Sequence, residues 1–148
     1  MRVLVWIVED TWQIAVTAAS TLPAEAEITL LHVTASDAEA IAKCARHGLL
    51  GRPHGRSDAD LQTISDQSAT DLLAAAETLL GRQATLVARR GRVESEVIAA
   101  ADGMDLLVLA RGGDREHRGP RSLGHAARFV VDHAPCAVLL ADGRSSGA

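Results

Sequence analysis

Five short apolar runs punctuate the chain: Val3 to Val8 (VLVWIV), Ile28 to Val33 (ITLLHV), Ala84 to Ala88 (ATLVA), Leu106 to Ala110 (LLVLA) and Cys136 to Ala141 (CAVLLA). They are continuous rather than alternating, which suits strands covered on both faces. Between them the period changes to that of a helix. After the first run, Asp10 and Gln13 have capping-box spacing, Ile14, Ala18 and Leu22 share a helical face, and Pro23 ends it. A second helix is read from Ala69, Leu72, Leu73, Ala76 and Leu80, with Gly81 as its stop. A third spans Val93 to Ala101 and closes at Gly103. The fourth carries Leu123, Ala126, Ala127, Val130 and Val131 on one face and exits at Pro135. Strand and helix therefore alternate, which predicts right-handed crossovers and an α/β fold: an open parallel sheet with helices on both faces.

A chain of 148 residues is the size of one ordinary domain, placed here at 1–142, with 143–148 as a flexible tail. The one irregular piece is a long connection over 34–64. Within it, Ser36 to His47 reads as a short amphipathic helix and Gly48 to Ser57 as loop.

The formal charge of −4 offers no basic footprint, and Trp6, Trp12 and Phe129 are the whole aromatic complement, so nucleic acid is not expected as a partner. No apolar run approaches the roughly 18 residues that span a bilayer, and the N-terminus turns acidic at Glu9. The expectation is a cytoplasmic protein without a membrane anchor. In that compartment Cys44 and Cys136 are expected as thiols. The six histidines contain no metal-binding spacing, so no metal site is predicted.

In open parallel sheets, ligands bind beyond the carboxyl ends of the strands, where the strand order reverses. The segment from Arg111 to Ser122 occupies such a place, between the fourth strand and the fourth helix. Gly112, Gly113 and Gly119 allow close backbone approach, Ser122 is a candidate N-cap, and the N–H groups around Leu123 to His125 would face an anion. Arg111, Arg115, Arg118 and Arg121 outnumber the acids of the same segment. Composition alone leaves two readings open, a phosphate cradle and a plain connection from strand to capped helix. Ser122, His125 and Asp132 do not make a catalytic triad, because Asp132 lies two to three helical turns beyond His125. An ATP-dependent adenylating enzyme on a related sheet would need a Ser-Gly-Gly-x-Asp-Ser loop after the first strand, where this chain has Glu9-Asp10-Thr11.

The order of elements, "LLHV" at Leu30 to Val33, "DLLVLA" at Asp105 to Ala110 and above all "HAPCAVLL" at His133 to Leu140 resemble the universal stress protein family over nearly the whole chain. The resemblance implies a Rossmann-like, five-stranded parallel sheet in the order 3-2-1-4-5 and a homodimer formed through the last strand, Cys136 to Ala141. It also implies a choice, since the family contains members that bind ATP and members that do not. The ATP signature is Gly, two residues, Gly, nine residues, then Gly with Ser or Thr.

Here Ala110 stands at the first glycine, Gly113 matches the second, ten residues separate it from Gly124, and His125 replaces the hydroxyl. Val8 stands where ATP-binding members carry an Asp toward the adenosine, with Glu9 and Asp10 next in the chain. Gly91 fits the family's glycine after the third strand, whereas Val93 stands where proline is common.

The residue reading and the resemblance together give two groups of site residues. Gly113, Gly119, Ser122, Gly124 and His125 form the candidate anion loop, and Val8, Val33 and Gly91 the candidate adenosine surroundings. The expected function is a non-enzymatic, stress-response regulatory module with a remodelled nucleotide or anion pocket and weak or no ATP binding. ATP or another phosphate-bearing ligand is the expected cofactor class if one binds. The alternatives are a true ATP switch and a ligand-free interaction scaffold.

Overall fold

The computed structural model describes residues 1–36, 58–112 and 123–143. In chain order these form β1 (Arg2–Trp6), α1 (Trp12–Ser20), β2 (Glu27–Ala35), α2 (Asp58–Leu80), β3 (Thr85–Gly91), α3 (Val93–Ala101), β4 (Leu106–Ala110), α4 (His125–His133) and β5 (Ala137–Ala141). All four strand pairings are parallel, and the order is β3-β2-β1-β4-β5. The predicted α/β class and strand order are therefore those of the protein. The order reverses between β1 and β4, so the switch point opens at the carboxyl ends of those two strands.

Two apolar layers flank the sheet. On one face Val3, Val5, Ile7, Ile28, Leu30 and Val108 pack against Ala15, Val16 and Ala19 of α1 and Leu73, Ala76 and Leu80 of α2. On the other, Leu4, Trp6, Leu31, Val33, Leu107 and Leu109 meet Val97 and Ala101 of α3 and Val130 of α4. Successive residues of a strand point to opposite faces, so β4 and all of β1 after the exposed Arg2 are apolar at consecutive positions. That accounts for their unbroken hydrophobic runs. The outer strands depart from this rule: Leu86 of β3 and Leu139 of β5 remain substantially exposed, because an edge strand has fewer neighbours to cover it.

Element ends differ from the sequence reading in physically instructive ways. β1 stops at Trp6, two residues short of Val8, as the chain turns into α1 through a Thr11 N–H to Val8 carbonyl bond of 3.0 Å. The capping box at Asp10 and Gln13 does not form, since Thr11 is the N-cap of α1 and makes no side-chain bond there. At its other end α1 stops at Ser20, before Leu22. The exposed carbonyls are met by Arg82, whose guanidinium donates to Pro23 O at 2.7 Å and Ala19 O at 3.3 Å.

β2 runs on to Ala35, and α2 begins at Asp58, so both extend into the expected 34–64 connection. β3 continues past Ala88 to Gly91, because its backbone keeps pairing with β2 even where its side chains become Arg89 and Arg90. Gly81 and Gly103 follow α2 and α3 at φ +72°, the left-handed stop that the sequence assigned to them.

α4 starts at His125 with Gly124 as N-cap, rather than at Leu123 behind Ser122, and Val131 faces outward instead of into the core. The expected helix over Ser36 to His47, the loop that follows it, Cys44 and the C-terminal tail beyond Gly143 lie outside the described residues.

Candidate functional site

A parallel sheet with right-handed crossovers brings the N-termini of its helices to the carboxyl edge of its strands. At the switch point that edge is built by the chain leaving β1, the chain leaving β4 and the first turn of α4. A Cβ added to Gly112 would lie 3.8 Å from the Thr11 methyl, so the two exits stand side by side.

His32 shapes the first wall. Where β1 leaves the sheet, the Ile7 carbonyl takes a bond of 2.9 Å from the buried His32 ring. That carbonyl accepts through a lone pair, so Nδ1 is the protonated nitrogen. The ring thereby holds the turn that presents Val8, which is 38% exposed, followed by the exposed Glu9 and Asp10. Trp12 begins α1 behind this turn and packs partly into the core, while Trp6 is buried in the opposite layer.

Val33 and Gly91 lie farther along the same edge. Val33 is buried in β2 on the face covered by α3 and α4, level with Arg89 of β3. Gly91 pairs with Ala35, and its carbonyl accepts the Ser36 N–H at 3.2 Å. Its φ is +155° and a Cβ there would come within 3.0 Å of Glu96 Oε1, so both backbone and space favour glycine.

Gly124 and His125 form the second wall. Gly124 has φ −63° and ψ 166°, an extended N-cap, and its carbonyl takes the first helical bond from Arg128 N at 3.0 Å. Because glycine brings no side chain, the N–H groups of the first turn have no cap from the N-cap residue itself. A cavity of about 360 Å³ adjoins them, lined by Leu123, Gly124, His125 and Arg128. The structure thus brings Gly124 and His125 together and sets Val8, Val33 and Gly91 along the same sheet edge. Gly113, Gly119 and Ser122 lie outside the described residues. Among the described residues no cluster of histidine, cysteine and acidic side chains could hold a metal ion.

Glu94 was not singled out from sequence. It sits in the first turn of α3, is only 5% exposed, and accepts a bond of 2.7 Å from Arg92 Nε. Its carboxyl is held below the usual range, chiefly by its own backbone N–H, then by the Arg92 guanidinium and the nearby His125 ring, against the opposing cost of burial. In a one-dimensional reading Glu94 is an ordinary first-turn acid complementing the helix dipole. Its burial, by contrast, is a property of the packed structure.

Two further side chains behave structurally. His133 donates from Nδ1 to Phe129 O at 2.8 Å and stacks on the Phe129 ring, finishing α4. Cys136 is half-buried, and burial followed by the Asp105 charge pushes its thiol up, away from the reactive thiolate.

The family described as the universal stress protein family matches residues 1–142. Among solved structures, a universal stress protein from Lactobacillus plantarum is 23% identical with a TM-score of 0.63, covering 95% of this chain and 97% of its own. One from Archaeoglobus fulgidus, solved in complex with dAMP, is 14% identical with a TM-score of 0.58, covering 95% and 97%. A third, solved in complex with cAMP, is 19% identical with a TM-score of 0.51, covering 95% of each chain. No curated protein sequence matches significantly.

The lowered Glu94 carboxyl carries a stability consequence whose sign is fixed. A group with a folded pKa below its ordinary 4.5 adds stability above that value and loses it as pH falls through the folded pKa. Glu94→Gln is expected to cost about 1 kcal/mol near neutral pH. Urea unfolding of both proteins should show that gap narrowing below about pH 4, whereas a gap independent of pH would contradict the assignment.

Proposed function

Because the chain belongs to the universal stress protein family, we propose that it is a regulatory binding module rather than an enzyme, with a nucleotide pocket remodelled at the carboxyl edge of β1 and β4. The observation that carries this reading is the first turn of α4, where Gly124 and His125 border an open cavity that also receives Arg128. Backbone donors at a helix N-terminus are suited to a phosphate, and Arg128 adds a guanidinium fork. Two relatives of the same fold were solved with dAMP and cAMP, which supports a phosphate-bearing nucleotide as the ligand class.

The proposed remodelling is supported by the residues at the strand end where the resemblance puts the adenosine. The Val8 side chain offers no acceptor to a ribose, and Glu9 and Asp10 lie in the exposed turn beyond it. Loss of a buried charged hydrogen bond is worth about 1 to 3 kcal/mol, or roughly ten- to a hundredfold in affinity. His125 in place of a hydroxyl keeps a donor at the phosphate end. The chain is therefore read as one domain over 1–142, cytoplasmic, binding ATP weakly.

A second copy of the chain is the proposed structural partner. β5 is the edge of the sheet, and its outward residues include the exposed Ala137 and the 37% exposed Leu139. Pairing two such edges would satisfy free backbone groups and cover Leu139.

Two outcomes are expected. Calorimetric titration with Mg-ATP should give a Kd of about 100 µM or weaker, and Gly124→Asp should abolish the binding without loss of fold, because Asp is itself a favourable N-cap while its charge repels phosphate. Low-micromolar binding, or binding indifferent to this substitution, would overturn the pocket reading. Separately, sedimentation equilibrium should give a dimer that Leu139→Asp converts to monomer. A chain that is monomeric from the outset would overturn the β5 interface.

A further inference from the structure

We propose that the N-terminal part of α2 is a docking surface for the chain's own basic connection, residues 37–57, which lie outside the described residues. Such docking does not depend on a nucleotide.

The surface begins where the sheet ends. Asp66 of α2 accepts a bond of 2.9 Å from Arg90, the next-to-last residue of β3, so Asp66 stands level with the carboxyl edge of the sheet. α2 runs back against the strand direction, and its residues before Asp66 therefore reach about 12 Å beyond that edge. Burial follows the same division. Between 59 and 68 only Ser65 is even half-buried, and the first buried residue is Ala69. The overhang nevertheless carries Leu61, 43% exposed, and Ile64, 48% exposed. At about 100° per residue both fall on the flank opposite Asp66, together with the half-buried Leu72 and the exposed Leu79. The apolar flank that joins the core at Leu72 thus continues outward as Leu61 and Ile64, which belong to neither apolar layer.

Two observations name the occupant. The first is where the connection starts and stops. Ser36 donates its N–H to Gly91 O at 3.2 Å, and Gly91 adjoins Arg90, so the chain leaves β2 beside the residue that holds Asp66. It re-enters at Asp58, on the overhang itself. A segment tethered at both ends to one place meets that place at high effective concentration. The second is charge. Asp58, Asp60, Asp66, Asp71 and Glu77 are the charged residues of α2, which has no lysine or arginine. From Ala40 to Ser57 the connection has Lys43, Arg46, Arg52 and Arg56 and no acid, with Ile41, Leu49 and Leu50 as its large apolar residues. A cationic segment with aliphatic side chains matches an acidic helix with an exposed aliphatic pair in both respects. The same helix of a second copy would bring only acids to the surface and meet repulsion.

The test is amide hydrogen exchange on the full chain, read by mass spectrometry on peptides covering 40–57 and 58–68. The native protein should exchange its amides over 40–57 at least about tenfold more slowly than an unstructured chain. Leu61→Ser with Ile64→Ser should remove most of that protection and speed exchange over 58–68, while α2 from Ala69 onward and the sheet keep their native rates. Lys43→Gln with Arg46→Gln, which leaves α2 untouched, should speed both segments at least about twofold.

Exchange over 40–57 at the unstructured rate, which would leave the overhang open to another protein, overturns the proposal. So does protection that either pair of substitutions leaves unchanged, which would place the connection elsewhere. Protection lost on dilution as an assembly dissociates would assign the surface to a second copy and overturn it as well. Should Leu61→Ser with Ile64→Ser fail to fold by circular dichroism, Lys43→Gln with Arg46→Gln decides alone.

Discussion

The burial of β1 and β4 on both faces is the constraint on which the rest of the structure depends. A strand apolar at every position must be covered twice, and the only cover available comes from helices linked by crossovers of one hand. α1 and α2 supply one layer, α3 and α4 the other. Crossovers of this kind return each helix with its N-terminus at the carboxyl edge of the sheet. Several sets of backbone donors are thereby gathered beside the gap between β1 and β4, before any side chain has been chosen for a ligand.

Local features then differentiate that edge. His32 anchors the departing β1 by donating to Ile7 O, Gly91 lets β3 turn tightly into α3, and Gly124 leaves the first turn of α4 open. His125 and Arg128 line the cavity, while the buried Glu94 of α3 is paired with Arg92.

The fold was legible in the sequence because its signals are strong and local. Unbroken runs such as Leu106 to Ala110 can only be doubly covered strands or core helix segments, and their length and spacing decide for strands. Boundaries were less legible. Asp10 has the right spacing for a cap, but the turn from Val8 to Thr11 moves the helix start by one residue, and β3 outlives its apolar pattern because pairing with β2 continues through charged residues. For the proposed site, position alone was legible: Gly124, His125, Val8 and Gly91 lie at or beyond the carboxyl ends of the strands, and Gly113, Gly119 and Ser122 lie outside the described residues. Glu94 was hidden because its burial arises from tertiary packing that its own turn does not encode. Nothing within its own turn separates it from the neighbouring Glu96, whose side chain is a third exposed.

The most direct test of this account is a nitrogen-edited NMR titration of the amide signals with AMP. The account predicts saturable shifts centred on Gly124, His125 and Arg128, with smaller ones at Val8 and in the first turn of α3. Shifts confined to the faces of α1 and α2 or to β5, or no shifts at millimolar AMP, would contradict it.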